Sequence, residues 1–147
     1  MIGVGNRWRR DDAAGLAVVQ RLTESVPEGT EVFEHEGEPT SLIDAWEGAE
    51  AVWLVDAVSS GAIAGTVHRL DTADGPLPAT LFRASTHHVG LAEAVELART
   101  LGRLPASVVV FGIEGERFDT GEELTPAVAD AVSRVADAIA AEMSRLR

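Results

Sequence analysis

Ala51-Val52-Trp53-Leu54-Val55 is an unbroken apolar run that ends on the charge of Asp56. Continuous hydrophobicity of this kind belongs to a strand buried on both faces, as in a parallel sheet covered by helices; a strand wetted on one face alternates instead. Ser107 to Phe111 has the same character and ends at Gly112-Ile113-Glu114-Gly115. Ile2 to Val4 reads as the end of another buried strand, shorter than the usual ~5–6 residues, followed by a turn at Gly5-Asn6. Glu31 to Glu36 is a weaker strand of mixed polarity, and Thr66 to Leu70 follows the central run across a short loop with Ser59-Ser60-Gly61 and Gly65.

Helical patterns lie between these runs. Asp11 or Asp12, both good capping residues, opens a helix through Leu22, with Leu16, Val19 and Leu22 on one side and Val26-Pro27-Glu28-Gly29 as its end. Thr40-Ser41 precede a short helix with Leu42, Ile43 and Trp46, stopped near Gly48. After the loop Asp74 to Pro78, a helix runs from near Val89 to Leu101, with Gly102 as its stop. Thr125-Pro126 begins the last helix, on which Val128, Val132, Val135, Ile139, Met143 and Leu146 recur at steps of three and four. Alternating strands and helices predict one α/β domain over residues 1–147: a three-layer α/β/α sandwich around a mostly parallel, twisted sheet of about five strands, with one antiparallel pair.

Composition excludes several classes of function. The chain has 147 residues, 46% of them apolar, and carries a net charge of -12; all 12 basic residues other than histidine are arginine. Sequence-independent nucleic-acid binding and attraction to an anionic membrane both require a basic face. No cysteine is present, which removes disulfides, a cysteine nucleophile and thiolate metal ligation. No apolar run approaches the ~20 residues of a membrane-spanning helix. Met1 leads directly into folded-looking sequence with no signal peptide, so a cytoplasmic location is expected.

Ligand sites in open α/β sheets collect at the carboxyl ends of strands. Asp12 follows the first strand, Asp56 ends the strongest one, and His87 with His88 precedes a helix in Ser85-Thr86-His87-His88. Two carboxylates and an imidazole suit a divalent transition metal. Each residue also has a plainer reading. Asp11 or Asp12 serves as a helix cap, and the histidines serve as polar loop residues. Asp56 resists that reading, because a charge beside so apolar a run requires a partner. His35 and His68 lie on strands and are read as structural. Arg7, Arg9 and Arg10 crowd the first loop around Trp8, either as a clamp for an acidic partner or as a solvated loop offsetting nearby acids. Gly3-x-Gly5 is a fragment of a dinucleotide-binding pattern without its third glycine, and no Gly-x-Ser-x-Gly elbow supports serine catalysis.

Taken together, the segments resemble the hydrogenase maturation endopeptidases, which process the large subunit of nickel–iron hydrogenases. Gly3-Val4-Gly5-Asn6 with Asp11-Asp12-Ala13-Ala14-Gly15 looks like the family's opening block. Val55-Asp56-Ala57-Val58, Ser60-Gly61 and Gly65-Thr66-Val67 are similar to its second block, and Ser85-Thr86-His87 with Gly90-Leu91 to its histidine block. Gly112-Ile113-Glu114, Gly121 and Leu124-Thr125-Pro126-Ala127-Val128 resemble its closing segment. The loop Arg7-Trp8-Arg9-Arg10 is more basic than in a typical member.

The resemblance implies a peptidase that removes the C-terminal extension of a hydrogenase large-subunit precursor after nickel insertion. It places metal contacts on Asp12, Asp56 and His87 and catalysis on Asp12 and Asp56, with nickel carried by the substrate and no organic cofactor. The expected partner is the precursor itself, and the expected state is a monomer. Two further readings stand beside it: a non-catalytic module that holds a metal or an immature subunit, and a nucleotide-binding α/β protein.

Overall fold

The structure is a computed structural model that describes residues 1–78, 80–82 and 90–146. Its elements in chain order are β1 (Ile2–Val4), α1 (Ala14–Leu22), β2 (Phe33–His35), α2 (Pro39–Ala45), β3 (Ala51–Val58), β4 (Val67–Asp71), α3 (Leu91–Thr100), β5 (Ser107–Glu114) and α4 (Pro126–Arg145). The five strands form one sheet in the order β2-β1-β3-β5-β4. All neighbours run parallel except β4 and β5.

Side chains alternate across the sheet and divide the core in two. Trp53, Val55 and Ala57 of β3 and Val109, Phe111 and Ile113 of β5 pack beneath α1 and α4. Val52, Leu54 and Val58, with Val108 and Val110, face Leu42 and Ile43 of α2 and Val95 of α3. This is the expected three-layer sandwich. Asp56 falls on the α2/α3 face by the same alternation.

Several local expectations are corrected. β3 does not stop at Asp56 but continues to Val58, paired residue for residue with β5 from Ala51↔Ser107 to Val58↔Glu114. The antiparallel pair exists, yet β4 pairs with β5 rather than with β3, its predecessor in the chain. β5, apolar from Val108 to Ile113, takes the interior position between them, where both its edges are bonded, and half-exposed β4 takes a sheet edge. Neither Asp11 nor Asp12 caps α1: Arg10–Ala13 form a 3₁₀ turn, and the N-cap residue Ala13 makes no side-chain cap bond. Thr40 and Ser41 lie inside α2 rather than ahead of it, and the helix is capped by Glu38, whose carboxylate accepts from the N–H groups of both. The Thr40 hydroxyl and these N–H groups hold the Glu38 carboxyl down to about 2, from an ordinary 4.5. Thr125 and Pro126 do open α4, and its apolar stripe is buried as far as Met143, but Leu146 is exposed.

The strand order has one switch point. From β1 the chain passes through α1 to β2 on one side, then through α2 to β3 on the other. The switch point lies between the carboxyl ends of β1 and β3, the usual ligand position in this architecture. Close packing fixes the elements around it. A Cβ on Gly15 would lie 2.3 Å from the carbonyl oxygen of Val55 and 2.6 Å from that of Val4, so α1 touches both strands through backbone. Gly15→Ala is expected to lower unfolding stability by roughly 3 kcal/mol, the cost of overpacking rigid backbone. Urea denaturation measures it; a loss under about 1 kcal/mol would show that the helix shifts freely.

Candidate active site

Among the described residues four carboxylates, Asp11, Asp12, Asp56 and Glu114, lie buried at the C-terminal edge of the sheet. Asp12 is 1% exposed and Asp56 2%. The Asp12 Oδ2 accepts from the N–H of Asn6 at 3.2 Å and lies 3.8 Å from the Arg9 guanidinium. Gly5 lets the first loop approach this closely, since a Cβ there would sit 2.0 Å from the Asp12 carbonyl oxygen. The spaces beside Gly3 and Gly5 are thus filled by the backbone of Gly15 and Asp12, which leaves no phosphate cradle for the nucleotide reading.

Among the described residues Asp56 accepts one hydrogen bond, from the N–H of Ala57 at 2.8 Å. Burial pushes its carboxyl well above the ordinary 3.8, and the negative charge of Asp12 pushes it further. The structure therefore brings Asp12 and Asp56 within electrostatic reach of each other. His87, the third residue of the expected set, lies outside the described residues, as does His88. Among the described residues no three acidic or imidazole groups converge as a metal cluster.

Asp11 is fully buried and has a different task. Its Oδ2 accepts from the N–H groups of Glu116 and Arg117 at 2.8 and 2.9 Å, and its Oδ1 from that of Thr125 at 2.8 Å. The Thr125 hydroxyl donates to it as well. This one side chain ties the first loop to the loop between β5 and α4. The arginines of the first loop each face a carboxylate: Arg7 meets Glu34, Arg9 meets Asp12 and Arg10 meets Asp119. The loop offsets acids of its own chain rather than forming a clamp.

The residue that sequence reasoning passed over is Glu114. It is 1% exposed and ends β5. It accepts from the Ser60 N–H at 3.0 Å, from the Ser60 hydroxyl and from His68 Nε2 at 3.2 Å. The signal that found Asp56, a charge closing an apolar run, is present here too. His68, on β4, pairs with Glu114.

A family model described as HycI, hydrogenase maturation protease, matches residues 16–142. The chain belongs to the hydrogenase maturation protease family. It is thus a member of a hydrolase family. The hydrogenase expression/formation protein HupD of Rhodobacter capsulatus is 27% identical over 95% of this chain and 68% of its own length. The hydrogenase 2 maturation protease of Escherichia coli K12 is also 27% identical, over 87% of this chain and 79% of its own. Among solved structures, the nickel–iron hydrogenase maturation protease HycI from Thermococcus kodakarensis superposes with a TM-score of 0.75 at 28% identity, covering 97% of this chain and 90% of that one. The maturating endopeptidase HybD of E. coli has the same fold, with a TM-score of 0.76 at 24% identity, covering 98% of this chain and 90% of that one.

Two substitutions separate the roles of the neighbouring acids in this protease. Asp11→Asn turns an amide toward N–H donors and is expected to cost about 3 kcal/mol of stability; a change below about 1 kcal/mol in chemical denaturation would contradict its tying role. Asp56→Asn acts oppositely. The folded protein raises the Asp56 pKa above its unfolded value of 3.8, so its contribution is fully present below that value and lost as pH rises through the folded pKa. The variant does not ionise. It is expected to melt higher than wild type at neutral pH, with the gap closing as the pH falls toward 4. Calorimetry across that range checks it; a pH-independent gap would contradict it.

Proposed function

We propose that this protein cuts the C-terminal extension from a nickel–iron hydrogenase large-subunit precursor once nickel has been inserted, with Asp12, Asp56 and His87 contacting the nickel that the precursor carries. The observation that supports this reading most is the pair of buried carboxylates at the switch point, where Asp56 is disfavoured as an anion by burial and by Asp12. A dication delivered with the substrate relieves that repulsion and lets both carboxylates ionise. The donor set, oxygen from two aspartates and nitrogen from a histidine, suits nickel. Nickel then acts as proof that the precursor is ready.

Asp12 and Asp56 are also the proposed catalytic groups. In peptide hydrolysis a carboxylate takes a proton from water as its oxygen attacks the carbonyl carbon, and that proton passes to the departing amine nitrogen as the C–N bond breaks. With both carboxylates ionised, one aspartate is the base, and it becomes the acid that returns the proton it has taken from water. The same proposal has the protease working in the cytoplasm, as a monomer and without an organic cofactor. Among the described residues no helix is long and apolar enough to cross a membrane.

The test is incubation with purified nickel-loaded large-subunit precursor, read as a size shift on a denaturing gel. Wild type is expected to cut it, Asp56→Asn to be slower by at least about a hundredfold, the scale of a lost general acid or base, and nickel-free precursor to remain whole. Cleavage by Asp56→Asn at the wild-type rate would remove Asp56 from the chemistry. Equal cleavage of nickel-free precursor would remove nickel from recognition.

A further inference from the structure

β2 is the outer strand of the sheet. The N–H of Phe33 donates to the Met1 carbonyl, and the His35 carbonyl accepts from the Gly5 N–H. The backbone groups of alternate residues in a strand point to opposite sides. Glu34, between those two, therefore turns its N–H and C=O away from β1, to an edge on which no described strand pairs. Such an edge is a template for an extended chain.

Beside this edge lies a cavity of about 590 Å³, lined by Asn6, Trp8, Leu16, Glu34 and Glu36 among others. Trp8 is 57% exposed there. Asn6 links this cavity to the candidate site, since its N–H is donated to Asp12. Its rim is acidic. Glu34, Glu36 and Glu38 outnumber the single Arg7, and that arginine already pairs with Glu34. Glu36 is exposed and enters no ion pair among the described residues.

We infer that the open edge of β2 and this cavity receive an extended segment of the substrate polypeptide as an added strand, with an apolar side chain against Trp8 and a cationic side chain opposite Glu36. The inference rests on the reading of the chain as a peptidase and names how its substrate lies. Main-chain bonds to Glu34 give register, while the cavity and the acidic rim select side chains. A segment held there and continuing past Asn6 arrives at Asp12.

The probe is a short peptide of alternating valine and threonine with blocked ends and a central lysine, together with its twin carrying a central glutamate. Both are titrated into ¹⁵N-labelled full-length protein and followed by amide shifts and solvent exchange. The lysine peptide is expected to slow exchange at the Glu34 amide and to bind roughly fivefold more tightly than the glutamate twin, the scale of an ion pair at an exposed rim. Glu36→Lys is expected to reverse that preference. Glu34→Pro removes the outward-facing donor together with the carboxylate that meets Arg7 and Gln20; compared with Glu34→Ala, which removes the carboxylate alone, it is expected to abolish binding with the circular dichroism spectrum unchanged. An unprotected Glu34 amide at saturation, or a lysine preference that survives Glu36→Lys, overturns the inference whether or not the proline variant folds. Binding is scored without cleavage. Failure here beside intact cleavage of the nickel-loaded precursor sinks the edge alone, and edge binding with no cleavage sinks the peptidase reading alone.

Discussion

An ionised carboxylate buried without donors is among the most costly things a fold can contain, and Asp11 is fully buried. Its position is tenable because three backbone N–H groups and a hydroxyl converge on it from residues 116–125. The chain elsewhere accommodates that demand. Arg10 adopts a positive φ of 46°, an uncommon conformation for a side-chain-bearing residue, as its N–H reaches the Gly121 carbonyl. Gly121 in turn donates to the Trp8 carbonyl. Asp12, the next residue, is thereby carried by a loop bonded on both sides, which fixes where its carboxylate sits relative to β3.

Burial sets the division of labour among the acids. Asp11 is saturated with donors and behaves as structure. Glu114 is likewise satisfied, by Ser60 and His68, and secures the loop after β3. Among the described residues Asp56 has one donor, a backbone N–H, and burial and the like charge of Asp12 disfavour its ionised form. Strain of this kind costs stability and persists where chemistry uses it. The contrast between saturated and undersupplied carboxylates distinguishes supports from candidates more sharply than burial alone.

The sequence made the layers legible because continuous apolar runs and helical stripes are local signals. Asp56 stood out for the same reason, as a charge against five apolar neighbours. Strand order was not local: β4 follows β3 in the chain, but β5, which arrives later, separates them. The task of Asp11 was hidden because its partners lie 105 to 114 positions away, while a capping role for it was visible within four residues. Glu114 carried a readable signal that was obscured by the glycines around it. His87 came from motif order, and its placement lies outside the described residues.

The ties of Asp11 also bear on when the protein becomes competent. Chain closure over more than a hundred residues is entropically slow compared with helix formation. The first loop holds half of the candidate site, yet its anchor points belong to the segment leading into α4. During synthesis the early strands emerge with Asp11 still lacking its donors, and the first loop acquires its final shape only when that late segment docks. A nascent or truncated chain thus carries the acids without the bonds that fix their geometry.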